Sequence, residues 1–141
     1  MGVFKRNEIS LTEAGEGKFT QMIKMGKHTL LADEPEEVGG NDKGPNPYDL
    51  LLASLGACTS ITVRMYALQK NIPLKGMSIT LDHEKVDSEN NEKTDLIHCI
   101  ISLEGDLTSE QEEDLLRIAM KCPVHKTLSH ASVIKTTLGT E

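Results

Sequence analysis

From Leu50 to Val63 the chain runs fourteen residues without a charge, and the residues just ahead of that run spell a helix start. Asn46 is a good N-cap, Pro47 suits the first helical position, and Asp49 sets a carboxylate in the first turn, where the helix dipole is positive. The helix should run to about Lys70, because Asn71-Ile72-Pro73 disfavours its continuation. Leu51, Leu52, Leu55, Cys58, Thr59 and Thr62 fall at i, i+3 and i+4 spacings, yet the opposite face also carries Ala and Leu. A helix apolar nearly all round is buried on most of its sides. The fold has to be built around it. The uncharged run itself is too short to span a bilayer as a helix.

The flanking segments read as strands. Val3–Thr12 alternates loosely, with Phe4, Ile9 and Leu11 as candidate core residues, and Glu13–Gly17 is a turn. Phe19–Met25 and His28–Ala32 flank Gly26-Lys27, a tight hairpin turn. The acid-rich stretch from Asp33 to Asp42, followed by Lys43-Gly44-Pro45, reads as a solvated loop. Beyond the central helix, Met77–Val86 alternates Met, Ile and Leu with Ser, Thr and Asp, the mark of a half-buried strand. Asp87–Glu92 is a turn, and Leu96–Leu103 is a second strand on which Ile97, Cys99, Ile101 and Leu103 share a face. Thr108-Ser109-Glu110-Gln111 is a capping box opening a helix with Leu115, Leu116, Ile118 and Ala119 on its core face. That helix ends near Lys121, ahead of Pro123. A short helix, Pro123–Ser129, and a closing strand, Ser132–Leu138, complete the order β, β, β, α, β, β, α, α, β. This is α+β with antiparallel pairing, expected as a single domain over residues 1–141.

Acids outnumber bases by 22 to 15, for a net charge of −7. That balance argues against nucleic acid, which is bound by clustered Lys and Arg, and against anionic membrane surfaces. The N-terminal residues hold no apolar signal core, and position 6 is Arg where a myristoylation motif wants Ser or Thr. A cytoplasmic location is expected.

Three cysteines, Cys58, Cys99 and Cys122, do not make a disulfide scaffold. Cys99 lies on an apolar strand face and reads as core packing. Cys58 sits mid-way along the central helix among Ala53, Ser54, Gly56, Ala57, Thr59 and Ser60, whose small side chains leave room for a partner helix or a substrate. Cys122 falls at the N-cap of the short helix, where free N–H groups and the dipole favour a thiolate, and His125 is within reach of the sulfur. Cys122-x-x-His125 is half of a zinc site's spacing, but no second pair of ligands follows.

Gly44-Pro45-Asn46-Pro47 leading into a helix that carries Ala57-Cys58, together with Lys121-Cys122-Pro123-Val124, resembles the two cysteine motifs of the OsmC/Ohr family. Tyr48-Asp49-Leu50-Leu51 and the run from Cys122 to Leu128 resemble its less studied branch of OsmC-like redox proteins. The resemblance implies the OsmC-like fold, with antiparallel sheets around a long buried central helix, in an intertwined homodimer with active sites at its interface. It further implies a thiol-dependent reductase of small organic hydroperoxides that needs no metal, haem or flavin. Cys58 would attack the peroxide, Cys122 would resolve the sulfenic acid to a disulfide, and an external thiol would reduce that disulfide. Cys99 would lie apart from both. The better-known branches place Glu directly after the second proline; here Tyr48 stands there, and Asp49, one residue on, is the candidate acid. Those branches also place an arginine after the first strand, where this chain has Glu13–Gly17, with Arg6 or Lys18 as the nearest substitutes. Two other readings remain open: a thiol redox sensor or carrier, and a module binding a small apolar ligand beside inert cysteines.

Overall fold

The computed structural model describes residues 8–139. The chain forms two compact units, residues 1–51 and 52–141. Helix α1, Pro47–Gln69, begins in the first and continues through the second.

The first unit is a three-stranded antiparallel sheet in the order β1 (Ile9–Glu13), β2 (Gln21–Met25), β3 (His28–Ala32). The hairpin between β2 and β3 turns at Gly26, whose φ of 61° lies in the left-handed region that glycine tolerates. β1 is an edge strand, and its residues are all exposed, so Ile9 and Leu11 are not the core residues the sequence suggested. The buried side chains of the sheet are Ile23, on the central strand, and Ala32, at the end of β3. Residues 3–7 of the expected first strand, Phe4 and Arg6 among them, lie outside the described residues.

The acid-rich loop departs from the solvated reading at its first residue. Asp33 is buried. Its carboxylate accepts from the Thr20 hydroxyl at 2.8 Å and from the backbone N–H groups of Glu34 at 2.8 Å and Lys43 at 3.2 Å. Burial pushes this carboxyl upward, but the hydrogen bonds from Thr20, Glu34, Lys43 and Asn41 win, and it is held below the usual carboxylate range. The Asp33 N–H in turn donates to the Pro45 carbonyl at 3.1 Å. Gly44 is required here: a Cβ would stand 2.1 Å from the Leu31 carbonyl oxygen. This clamp fixes where α1 begins. Asn46 then caps the helix by accepting from the Asp49 N–H at 2.8 Å, while the Asp49 carboxylate accepts from the Asn46 N–H at 3.1 Å.

In the second unit, β4 (Leu74–Asp87) and β5 (Lys93–Gly105) form a long antiparallel ribbon. It is followed by α2 (Ser109–Ala119) and α3 (Pro123–Ser129). The core gathers Val63 and Ala67 of α1, Leu74 of β4, and Leu115 and Ala119 of α2, with Tyr66, Ile72, Met77, Ile101, Leu103 and Leu107 packed around them. The Tyr66 hydroxyl donates to Asp114 at 2.6 Å and ties α1 to α2. The capping box of α2 is in place, with Gln111 N–H to Thr108 at 3.1 Å and Thr108 N–H to Gln111 at 3.0 Å.

Several expectations change in this unit. Leu116 is exposed, because α2 is amphipathic and turns Leu115 and Ala119 inward instead. Helix α1 is 23 residues long and, by length and composition alone, apolar enough to cross a membrane, unlike the shorter uncharged run within it. Within this chain it buries one stripe, Leu55, Thr59, Val63 and Ala67, while Ile61, Met65 and Leu68 are exposed. Ser132–Leu138 forms no strand. No described strand pairs with it, so it has no hydrogen-bond ladder, and Val133, Ile134 and Leu138 stand 86%, 84% and 95% exposed.

Candidate active site

Pro123 opens α3 and Cys122 caps it, in extended conformation at φ −64°, ψ 143°. The Cys122 sulfur accepts the backbone N–H of His125 at 3.2 Å, so His125 reaches the sulfur through its main chain. Its ring Nδ1 lies 3.3 Å from the Ser129 hydroxyl instead. Cys122 has no exposed surface (0%). Its sulfur packs on α1, 3.6 Å from the Thr59 hydroxyl.

The direction of that last contact follows from counting protons. The Thr59 hydroxyl has one, and it goes to the Leu55 carbonyl at 2.8 Å. The Cys122 S–H is therefore the donor to Thr59. The sulfur thus donates a hydrogen bond to a hydroxyl of α1 and accepts one from a backbone amide of α3. The sequence places Thr59 on the face of Leu55 and Cys58, but gives its hydroxyl no partner; the structure sets the Cys122 sulfur against it. The signal of Thr59 was the i, i+4 spacing from Leu55, which puts a lone hydroxyl on the buried stripe.

Cys58, the residue before Thr59, is half-buried at the flank of the same stripe. Around it α1 lies close to the ribbon: a Cβ on Gly56 would come 2.8 Å from the Leu81 side chain of β4. Of the small residues near Cys58, Gly56 therefore serves close helix–sheet approach, while Ala53, Ser54 and Ala57 are exposed. Asp49 stands at the exposed start of α1, engaged in the cap with Asn46.

Cys99 is exposed and is not core packing. It faces Leu81 in the β4–β5 register and lines a cavity of about 220 Å³ with Leu55, Ile97, His125, Leu128, Ser129 and Asp95. Partial burial pushes its thiol upward, and the neighbouring Cys122 sulfur adds to the push. All three cysteines are free. Of the two described arginines, Arg64 donates to the Leu74 carbonyl at 2.6 Å and Arg117 pairs with Asp114. Among the described residues no group of three or more His, Cys, Asp or Glu side chains is placed to hold a metal.

Comparison with known proteins agrees with this architecture. The family model described as OsmC-like protein matches residues 40–137, which include both cysteine motifs. No curated protein matches the chain. Among solved structures, an OsmC-like protein from Mycoplasma pneumoniae superposes with a TM-score of 0.74 at 17% identity, covering 90% of this chain and 89% of that one. An organic hydroperoxide resistance protein OsmC from Legionella pneumophila gives 0.68 at 20% identity, covering 90% and 91%. The organic hydroperoxide resistance protein OhrB of Bacillus subtilis gives 0.62 at 19% identity, covering 89% and 91%. These likenesses share the α+β fold, and the family model covers the helix, the ribbon and both cysteine motifs: the chain belongs to the OsmC-like protein family.

Proposed function

We propose that the protein is a thiol-dependent reductase of small organic hydroperoxides, with Cys58 as the attacking sulfur and Cys122 as the resolving one. The observation that supports it most is the packing of the buried Cys122 sulfur against Thr59, the residue next to Cys58 on α1. A Cys58 thiolate attacks the terminal peroxide oxygen; the O–O bond breaks, the alcohol leaves with a proton, and Cys58 becomes a sulfenic acid. The Cys122 sulfur then attacks the Cys58 sulfur. Its proton leaves with the sulfenic hydroxyl as water, and a disulfide joins the two. Two equivalents of an external thiol return both cysteines and carry the electrons away as a second disulfide. The fold family and its hydroperoxide-resistance members favour this chemistry.

In this reading the protein works as a cytoplasmic homodimer. Ile61, Met65 and Leu68 form an exposed apolar row on α1 at helical spacing, the kind of surface a second copy would cover. Asp49 takes the place of the acid in the family's first motif.

Incubation with cumene hydroperoxide and dithiothreitol tests the reading. Many peroxide molecules should be consumed per wild-type subunit, and consumption by Cys58→Ser should fall to background. Undiminished turnover by Cys58→Ser would overturn it. A slower thiol redox carrier is the second reading, favoured by one feature: both described arginines are engaged, Arg64 by the Leu74 carbonyl and Arg117 by Asp114. A single equivalent of peroxide consumed per subunit, with no further turnover, would select it.

A further inference from the structure

We propose that Cys99 is a third redox thiol, which takes Cys122 over from the Cys58–Cys122 disulfide and presents the new bridge to the reductant at the cavity between β5 and α3. The inference rests on the peroxidase reading and extends it to the reductive half of the cycle. Cys122 has no exposed surface, and an external thiol has to approach a sulfur directly to displace it. Cys99 is exposed and lines a cavity open to solvent.

A shared cavity and one contact place Cys99 and Cys122 toward the same stretch of α1. Leu55 lines the cavity with Cys99, and Thr59, one turn further along the same buried stripe, carries the Cys122 sulfur. His125 closes the arrangement from the other side: it lines the cavity, and its backbone N–H is bonded to that sulfur. The close approach of Gly56 to Leu81 holds α1 down at the rung where Leu81 faces Cys99.

The exchange is balanced without an added oxidant. The Cys99 thiolate attacks the Cys122 sulfur, the 58–122 bond breaks as the 99–122 bond forms, and Cys58 leaves with the electron pair and regains a proton equal to the one Cys99 gave up. Cys58 is thereby free for the next peroxide. The upward push on the Cys99 thiol makes it the poorer leaving group once bridged and leaves less of it as thiolate near neutral pH, so the exchange should quicken as the pH rises.

Disulfide mapping on the full-length protein tests the relay. Diamide, which joins thiols without peroxide, is added, samples are quenched by alkylation at short and long times, and the bridges are read by mass spectrometry. Wild type should show 58–122 first and 99–122 later, and Cys58→Ser should form 99–122 directly. Cys99→Ser should stay at 58–122, and its reduction by dithiothreitol should slow about tenfold. Cys99→Ala should behave alike, with thermal melts checking that each variant folds. The absence of a 99–122 bridge in both wild type and Cys58→Ser, or unchanged reduction of the Cys99 variants, would overturn the relay. Cumene hydroperoxide consumed in the first turnover reports the Cys58 step by itself: its loss alongside intact bridge transfer would sink the peroxidase reading and not the relay.

Discussion

Cys122 and Thr59 carry one hydrogen bond whose direction is set by where the Thr59 proton goes. Thr59→Val keeps the shape and removes the acceptor of the buried S–H, a weak donor, so the change costs about 1 kcal/mol or less. The resulting lower midpoint should be seen in chemical denaturation. Other single groups set the response to pH. Asp33, Asp95 and Asp114 are all held below the usual carboxylate range by hydrogen-bond donors. Their folded values lie below the unfolded one, so the stability they contribute is present above about pH 4 and lost as the pH falls through the folded values. His98 works the other way. Its hydrogen bond to Asp82 raises it, so its contribution is complete below about pH 6.5 and fades as the pH rises through the folded value. Thermal melts of wild type and His98→Gln should therefore differ at pH 5.5 and converge toward pH 9, and a gap widening with pH would contradict the assignment.

Among the elements, α1 was the most legible in the sequence, because its start is written in local chemistry. The Asn46–Asp49 cap forms as the spacing suggested, and Asn46→Ala should lower stability by about 1 kcal/mol, measured by urea unfolding. The capping box of α2 and the Cys122 cap of α3 were legible for the same reason. What failed depends on contacts between distant residues. Ser132–Leu138 has strand-forming residues, but a strand needs a neighbour, and no local pattern supplies one. Ile9 and Leu11 alternate correctly yet sit on an edge strand that buries neither. Cys99 shares its face with Ile97 and Ile101, so its periodicity spoke for core; the cavity in front of it is formed by α1 and α3, which no pattern within β5 reveals. Asp33 looked like one acid among many until Thr20 and the backbone of Lys43 closed on it.

At the scale of the whole molecule, the second unit has a small core. Leu115 is 1% exposed at its centre, and Leu115→Ala should cost about 3 kcal/mol through lost packing. The apolar row Ile61, Met65 and Leu68 is left outside that core, and the proposed homodimer gives it a place. Sedimentation at micromolar concentration should find a dimer, with Met65→Glu shifting it toward monomer; a stable wild-type monomer would contradict the proposal. The central claim concerns which sulfur meets the peroxide. Trapping the sulfenic acid with a dimedone-type probe after one equivalent of organic hydroperoxide tests it most directly. Cys122→Ser should carry the adduct on Cys58 and Cys58→Ser should carry none, whereas an adduct on Cys122 in the Cys58→Ser protein, with none on Cys58 in its counterpart, would reverse the roles.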